Sequence, residues 1–212
     1  MTRKLFWDDP YRTELDTQVV SVTGAEITLA ETIFYAESGG QESDAGSIGG
    51  WPVLNARKDG LEIIYTLAEG NDLKPGDPVR QCIDWERRYR LMRLHFAAEL
   101  VLELVYRALP SVEKIGAHIA ANKARIDFAW PENLSGLLPT IQTQAHDLIA
   151  ADHPIRSAFS DEAAQRRYWE IEGFARVSCG GTHLRRTSEV GLIDLKRRNV
   201  GKEKERIEIT VQ

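Results

Sequence analysis

The chain has 212 residues, enough for one large domain or two small ones, and 42% hydrophobic with 28% charged residues is typical of a globular protein. The net charge of −5 argues against a general nucleic-acid coat but leaves room for a local basic face. No segment approaches the roughly 18 consecutive apolar residues of a membrane span, and MTRKLFWDDPYRTEL lacks a signal-peptide core. We therefore expect a cytoplasmic protein with no membrane partner.

The N-terminal part is predicted to consist of strands. TQVVSV and EITLAE flank Thr23-Gly24 as in a hairpin, and PVLNARK and LEIIYTLA flank Asp59-Gly60, which is a stronger hairpin signal. FYAESGGQESDAGSIGG between them is rich in glycine, and NDLKPGDPVRQCID supplies a turn and a short strand. These patterns predict a small β-rich, barrel-like domain over residues 1–84.

The second part is predicted to begin with a long helix. Asp84 can cap a helix through WERRYRLMRLHFAAELVLELVYRAL, which Pro110 closes, and apolar residues recur along it at helical spacing. IGAHIA, ARIDFAW, IRSAFS, FARVS, VGLIDLKR and RIEITVQ are strand candidates. A second helix is predicted within ENLSGLLPTIQTQAHDLIAAD, where Pro139 favours a late start, and a short one in DEAAQRRYW. The fold class is α+β, with a helix-and-sheet domain over residues 85–212.

Two short segments contain residue types that bind metals. His95 and Glu99 lie four positions apart in the long helix and therefore share a face. Cys179 and His183 lie four apart around two glycines, which permit a tight backbone path. Thiolate and imidazole are ligands that zinc favours. The helical pair also fits a core histidine beside a surface glutamate, whereas Cys-Gly-Gly-Thr-His is far more distinctive.

Three separated segments resemble one family. CGGTHLRRTSEVGLI is similar to the metal-binding segment of alanyl-tRNA editing domains, and ETIFYAESGGQESDAG resembles their glycine-rich segment. GDPVRQCIDWERRYRLMRLH resembles the run that leads to the family's first metal-binding histidine. These segments, with ARIDF and RIEI, occur in the family's order, and the chain has no room for an aminoacylation domain. It therefore resembles the free-standing editing proteins of the AlaX type.

The resemblance implies a trans-editing hydrolase that cleaves the ester of wrongly charged tRNA(Ala), chiefly the seryl and sometimes the glycyl form. It implies a Zn²⁺ cofactor in a cleft between a barrel-like domain and an α/β editing domain shared with threonyl-tRNA synthetase. By position, the family's metal ligands match His95, Cys179 and His183. The positions that match its amino-acid pocket and glycine-rich turn are Thr32, Gly39, Gly40 and Gln41.

The pocket residues have alternative interpretations. A site that hydrogen-bonds a serine hydroxyl rejects alanine, because its polar groups are then left unpaired. Thr32 is the predicted partner of that hydroxyl, although a β-branched residue also suits a strand. Gly39 and Gly40 either let the backbone approach the terminal adenosine closely or simply form a turn.

One position departs from the family pattern. Where the family has a second histidine four residues after the first, this chain has Glu99. Three interpretations remain open: Glu99 is a fourth metal ligand, a general base beside the metal, or the mark of a site that binds metal poorly.

A basic cluster precedes His95 in the helix. Its members are Arg87, Arg88, Arg90 and Arg93. They are predicted to contact tRNA phosphates, although a solvated helix face explains the same pattern. A second basic run lies at residues 196–198. No stable protein partner is implied. The rival functions are a catalytically impaired tRNA-binding module and a zinc hydrolase that acts on another aminoacyl ester.

Overall fold

The computed structural model covers residues 1–212 and contains two compact units. The first unit consists of Met1–Ser38 and Glu42–Tyr89, and the second consists of Gly39–Gln41 and Arg90–Gln212. The boundary falls within the first α-helix, and the Gly39–Gln41 segment belongs to the second unit although both its flanks belong to the first. Many strands combined with two α-helices confirm the α+β class.

The first unit is built almost entirely from strands. In chain order they are β1 (Arg3–Lys4), β2 (Glu14–Thr23), β3 (Glu26–Leu29), β4 (Glu31–Thr32), β5 (Gly46–Ile48), β6 (Trp51–Asp59), β7 (Glu62–Leu67) and β8 (Pro78–Ile83). Six of them close into a barrel in the order β2-β3-β7-β6-β5-β8, while β1 and β4 pair in parallel. Burial alternates along β3 and β7, as the sequence does, and fills the core with Ile27, Leu29, Ile63, Tyr65 and Leu67.

Both predicted hairpins are confirmed. β2 pairs antiparallel with β3, and β6 pairs antiparallel with β7. Gly24 and Gly60 begin the two turns with φ of 61° and 57°. This left-handed conformation is strained for residues with a Cβ, which is why a glycine at these two points predicts the reversal of the chain.

Helix α1 runs over Trp85–Ala108 and begins directly after Asp84. The Asp84 carboxylate accepts the backbone N–H of Arg87 at 3.0 Å, so the predicted cap is confirmed. The helix ends two residues before Pro110, which cannot continue it. The predicted apolar stripe is buried along its length at Leu91, Leu94, Ala98, Val101, Leu102 and Val105.

The rest of the second unit contains one more α-helix and two antiparallel sheets. Its elements are β9 (Glu113–Ile119), β10 (Ala124–Ala129), α2 (Leu138–Ala150), β11 (Arg156–Asp161), β12 (Arg166–Ile171), β13 (Ala175–Ser178), β14 (Ile193–Gly201) and β15 (Lys204–Val211). The larger sheet has the order β14-β15-β10-β9, and the smaller one has the order β11-β12-β13. Short 3₁₀ turns occupy Leu134–Gly136 and Thr187–Val190 in this unit and Leu5–Trp7 in the first unit.

Helix α2 starts late, as Pro139 predicts. The proline lies in the first turn, where its missing N–H leaves no intrahelical bond unmade. One face of the helix is buried through Leu138, Ile141, Ala145 and Ile149. No helix of the chain combines the length and apolar character that crossing a membrane requires.

The prediction of a short helix in DEAAQRRYW is wrong. Asp161 ends β11, the following residues form a turn, and Arg166 begins β12, which returns along β11 as a hairpin. Gln165 closes the turn with φ of 52°. The alanines and the glutamine, which favour helices intrinsically, lie in the turn, whereas β12 contains Tyr168, Trp169 and Ile171, which favour strands, and pairs with both β11 and β13.

Candidate metal centre

The second unit brings three metal-binding side chains together. His95 lies on α1, while Cys179 and His183 lie in the loop after β13. The Sγ atom of Cys179 is 3.3 Å from Nε2 of His95 and 3.3 Å from Nε2 of His183. One ligand atom from each residue lies within 4.8 Å of the other two. This group, called here the His–Cys–His cluster, can hold a metal ion.

The spacing and chemistry of the cluster fit zinc. Tetrahedral zinc has bonds of about 2.0–2.1 Å to nitrogen and about 2.3 Å to sulfur, which place neighbouring ligand atoms roughly 3.3–3.6 Å apart. Both sulfur–nitrogen distances in the cluster are 3.3 Å. One thiolate with two imidazoles is also a softer ligand set than magnesium or calcium selects. Three protein ligands leave one tetrahedral position for a fourth.

Gly181 permits the close approach of the loop to α1. A Cβ built at Gly181 would lie 2.0 Å from Cε1 of His95 and 3.1 Å from Oε1 of Gln41. The His95 ring would have to move to admit even a methyl group. By contrast, a Cβ at Gly180 would meet no heavy atom within 4 Å. Of the two glycines in Cys-Gly-Gly-Thr-His, the second is therefore required by contact with a cluster ring.

Each imidazole of the cluster has a partner on its other nitrogen. Oε1 of Gln41 contacts Nδ1 of His95. Oγ of Ser157 lies 2.9 Å from Nδ1 of His183. Nε2 of both rings therefore points toward the thiol. This is the arrangement of metal-binding histidines, whose outer hydrogen bond fixes the tautomer and the orientation of the ring.

Glu99 adjoins the cluster one helical turn beyond His95. Its Oε1 is 3.2 Å from Nε2 of His95, the nitrogen that also faces Cys179. Its Oε2 accepts a hydrogen bond from the indole Nε1 of Trp169 at 3.0 Å. A nitrogen–oxygen separation of about 3.3 Å is expected between neighbouring zinc ligands, so this one contact is compatible with a fourth ligand, but the ligand atoms that all lie within 4.8 Å of one another are those of His95, Cys179 and His183 alone. The contact equally fits an ion pair with His95, and the three interpretations of Glu99 stay predictions.

The charges of the site favour the deprotonated forms of Cys179 and Glu99 but the protonated form of His95. Burial raises the pKa of the Cys179 thiol, but the two neighbouring imidazoles outweigh it and lower the pKa to about 6. Burial also raises the pKa of Glu99, but contacts with His95 and Trp169 hold it at about 2. Burial lowers the pKa of His95, whereas Cys179 and Glu99 raise it to about 10. Nε2 must lose that proton to bind a metal, so metal binding is coupled to proton release.

Comparison with known proteins identifies the family. The chain is 33% identical over 216 residues to the alanyl-tRNA editing protein AlaX-M of Pyrococcus horikoshii, covering 100% of this chain and 99% of that protein. The chain belongs to the AlaX family. It is also 31% identical over 242 residues to AlaX-M of Methanosarcina barkeri, with 100% and 99% covered. An alanine–tRNA ligase of Ignicoccus hospitalis is 35% identical over 218 residues, 92% of this chain but 24% of the ligase. No family model matches the chain.

Gly39–Gln41, the part of the glycine-rich segment that belongs to the second unit, packs against the edge of the larger sheet. Gln41 forms a parallel bridge with Ile119 at the end of β9, whose N–H donates to the Gly40 carbonyl at 2.7 Å. Gly39 and Gly40 have φ of 62° and 89°. A Cβ at Gly40 would lie 2.5 Å from the carbonyl oxygen of Ala117. The two glycines form a tight turn against β9, and their contact with the terminal adenosine stays a prediction.

Thr32, the other AlaX pocket position, is wholly buried in the first unit. Its hydroxyl contacts Oη of Tyr65 at 2.5 Å and Oε1 of Gln81 at 3.0 Å, and it accepts the N–H of Phe34 at 3.0 Å. A hydroxyl has one donor hydrogen and two lone pairs, so these bonds use its whole capacity. A serine hydroxyl has to displace one of them, and direct contact of Thr32 with substrate stays a prediction.

The structure excludes one arginine of the basic cluster from tRNA contact. Arg88 is wholly buried, and its guanidinium donates to both carboxylate oxygens of Asp44 and to the carbonyls of Pro10 and Ile33. A side chain enclosed in this way cannot reach a phosphate, so the prediction for Arg88 is wrong. The sequence pattern conceals the ion pair because Asp44 lies 44 positions away.

The other three arginines of the cluster have different surroundings. Arg90 is exposed. Arg87 is half-buried and pairs with Glu42 at 2.7 Å, and Arg93 donates from Nε to the Val190 carbonyl at 3.0 Å. Contact with tRNA stays a prediction for all three, and Arg90 is the best placed of them.

Three residues around the cluster escaped the sequence analysis. Trp169 lies in DEAAQRRYW, which was predicted to be a helix, and a helix there gave no reason to expect its contact with Glu99. Ser157 lies in an unremarkable strand pattern and carries no motif. Thr182 accepts the Gln41 amide N–H at 3.1 Å, which orients the amide oxygen toward His95. Its place within the CGGTH motif of AlaX proteins was the only available signal.

Proposed function

We propose that this AlaX family member is a trans-editing hydrolase that deacylates mischarged tRNA(Ala), with the His–Cys–His cluster as its zinc site. The observation that carries the proposal is the convergence of three zinc-type ligands, within 4.8 Å, at the positions that match the AlaX metal segments. The match to AlaX-M proteins over the whole chain supports the same activity. A binding module has no need of this arrangement.

The residues of the chain divide the chemical work. When bound, zinc supplies a water of pKa about 7 or polarises the ester carbonyl. His95, Cys179 and His183 would hold the ion, and the contacts of Gln41 and Ser157 with Nδ1 of the two rings keep each Nε2 directed toward Cys179. The outer hydrogen bonds also raise the basicity of the rings as ligands.

Glu99 has one of two working roles in this scheme. As a base, its Oε1 takes a proton from the attacking water while the Trp169 indole fixes Oε2. As a ligand, the same carboxylate completes a set of four and makes the site less positive than the two-histidine helix of the family does. The two roles require different positions of Oε1, so they are separable by substitution.

We propose the seryl ester as the main substrate and the glycyl ester as a second one. A pocket that satisfies a serine hydroxyl leaves buried polar groups unpaired when alanine enters. Thr32 is the residue that the AlaX pattern assigns to this pocket. To pair with the serine hydroxyl, the Thr32 hydroxyl has to exchange one of its present bonds, to Tyr65, Gln81 or the Phe34 N–H, for the new one.

The proposed function predicts selective, metal-dependent deacylation. Zinc-loaded protein should hydrolyse seryl-tRNA(Ala) at least about 100-fold faster than alanyl-tRNA(Ala), because rejection rests on an unpaired hydrogen bond. Chelation should abolish the activity, and added Zn²⁺ should restore it. The measurement is the release of radiolabelled amino acid in single-turnover reactions, with glycyl-tRNA(Ala) as a third substrate.

Two outcomes of this assay favour the rival functions. Binding of tRNA(Ala) without cleavage of any ester identifies a catalytically impaired binding module. Equal cleavage of seryl and alanyl esters, or cleavage of small aminoacyl esters regardless of the tRNA, identifies a zinc hydrolase without proofreading selectivity. Either outcome contradicts the proposal.

A further inference from the structure

The larger sheet of the second unit has one buried face and one charged face. On β10 and β15, Ile126, Ile207 and Ile209 are buried. Because side chains alternate along a strand, the residues between them point to the opposite side. That opposite side is called here the outer face, and its central residues are Lys123, Arg125, Asp127, Lys196, Arg198, Arg206 and Glu208.

The carboxylates of the outer face are each shared by two cations. Asp127 pairs with Arg125 and with Arg206 (2.6 Å). Glu208 pairs with Lys123 at 2.7 Å and with Arg198 at 3.3 Å. Four cations thus surround two carboxylates.

Lys196 adds a further exposed positive charge on β14. The nearest acidic residue on the same strand is Asp194, at its start, and the carboxylate of Asp194 accepts a hydrogen bond from the Gln212 amide. The outer face is therefore locally positive on a chain whose net charge is −5.

The basic side chains of the outer face are more exposed to solvent than the carboxylates they pair with. The side chains of Asp127 and Glu208 are 13% and 15% exposed, whereas those of Lys123 and Arg198 are 46% and 64% exposed. A partner approaching the sheet meets guanidinium and ammonium groups first. Ion pairs with solvent-exposed cations are weak, so an incoming anion can compete for Lys123 and Arg198.

We propose that the outer face binds the phosphate backbone of the tRNA, an inference that rests on the proposed function. A flat, locally positive surface on an acidic protein selects a polyanion, and contact through phosphates suits double-stranded RNA, whose deep major groove side chains cannot read. The outer face also offers more exposed cations than the basic cluster at the start of α1, where Arg88 is buried and Arg90 is the one exposed member.

The decisive experiment neutralises two exposed cations that lie on one strand. The double variant Lys196→Gln with Arg198→Gln should bind uncharged tRNA(Ala) transcript at least about 10-fold more weakly at about 0.1 M salt, because counterion release is lost. The slope of log Kd against log salt should fall by about 2, roughly one for each lost phosphate contact. Fluorescence anisotropy titrations over a series of salt concentrations measure both quantities.

Two further variants make the test specific. Arg57→Gln with Lys58→Gln makes the same charge change on exposed residues of β6 in the first unit and should leave Kd and the slope close to those of the wild type. Glu208→Gln removes the carboxylate that Lys123 and Arg198 share, so it should tighten tRNA binding. Thermal unfolding of each variant reports whether the fold is retained.

The inference is overturned if the sheet variant keeps the wild-type Kd and salt slope, if the β6 variant loses as much affinity, or if Glu208→Gln weakens binding in a folded protein. The seryl-tRNA(Ala) assay of the wild type distinguishes this failure from that of the proposed function. A wild type that binds tRNA through the outer face but cleaves no ester retains the inference and contradicts the hydrolase. If the wild type cleaves seryl-tRNA(Ala) and the Lys196→Gln, Arg198→Gln variant binds tRNA as the wild type does, the hydrolase proposal is retained and the inference about the outer face is contradicted.

Discussion

Gly181→Ala should weaken zinc binding by about 100-fold or more, since changes that misplace a metal-binding histidine cost at least as much as loss of its outer hydrogen bond. The added Cβ would lie 2.0 Å from Cε1 and 2.7 Å from Nδ1 of His95. The ring therefore has to leave both its position opposite Cys179 and its contact with Gln41. Zinc content after dialysis against a competing chelator, together with the deacylation rate, measures the effect.

Gly180→Ala is the matched control for this prediction. It makes the same chemical change one residue earlier in the same loop, where a Cβ meets no heavy atom within 4 Å. Neither glycine is among those with positive φ, so neither substitution strains the backbone. Gly180→Ala should retain zinc and activity. Equal zinc content in the two variants, whether high or low, contradicts the assignment of Gly181 as the residue that admits the His95 ring.

Those parts of the fold that depend on local signals were predictable. A glycine at each hairpin turn and an aspartate before a long amphipathic run specify conformations within a few residues of themselves, and Gly24, Gly60 and Asp84 are found in those roles. The strand β12 depends instead on partners on both sides. The residues before it, Glu162–Gln165, favour a helix locally, and they contain no glycine, proline or asparagine to indicate a turn.

The site, like the fold, contains some residues that a local sequence pattern identifies and others that only distant strand pairing brings into place. His95, Cys179 and His183 were identified because their spacing and glycine context resemble a family. Their supporting contacts were not, because Ser157 and Trp169 reach the site only through the pairing of β11, β12 and β13. For the same reason the sequence did not show whether a given arginine is buried or exposed. A buried arginine and an exposed one look alike in sequence until the acidic partner is located.

The hydrogen bonds around the cluster place neutral and negative groups on different sides of the His95 ring. The outer nitrogen of each ring is bonded to a neutral group, an amide oxygen for His95 and a hydroxyl for His183. The negatively charged groups, Cys179 and Glu99, contact the other nitrogen of His95, Nε2. Two negative groups there could neutralise a divalent cation, which His95 could bind only after it loses its proton.

Substitution of Glu99 should have a large effect whose form identifies its role. If Glu99 is a ligand, Glu99→Ala removes one of four bonds and lowers zinc affinity, while Glu99→His restores the family's ligand set and keeps or raises that affinity. If Glu99 is the base, Glu99→Ala leaves zinc content unchanged and slows deacylation by about 100-fold or more. If the site is degraded, the wild type holds little zinc and Glu99→His gains it.

Trp169→Phe separates the position of the Glu99 carboxylate from its charge. The substitution keeps the aromatic contact with Phe96 but removes the indole donor that holds Oε2 at 3.0 Å. A base that depends on orientation loses rate in this variant at constant zinc content, whereas a carboxylate bonded to zinc is held by the metal and tolerates the change. Zinc content and single-turnover rate, measured on all three variants, decide between the roles. Unchanged values for Glu99→Ala would show that the carboxylate is a bystander, because neither a lost ligand nor a lost base leaves both quantities intact.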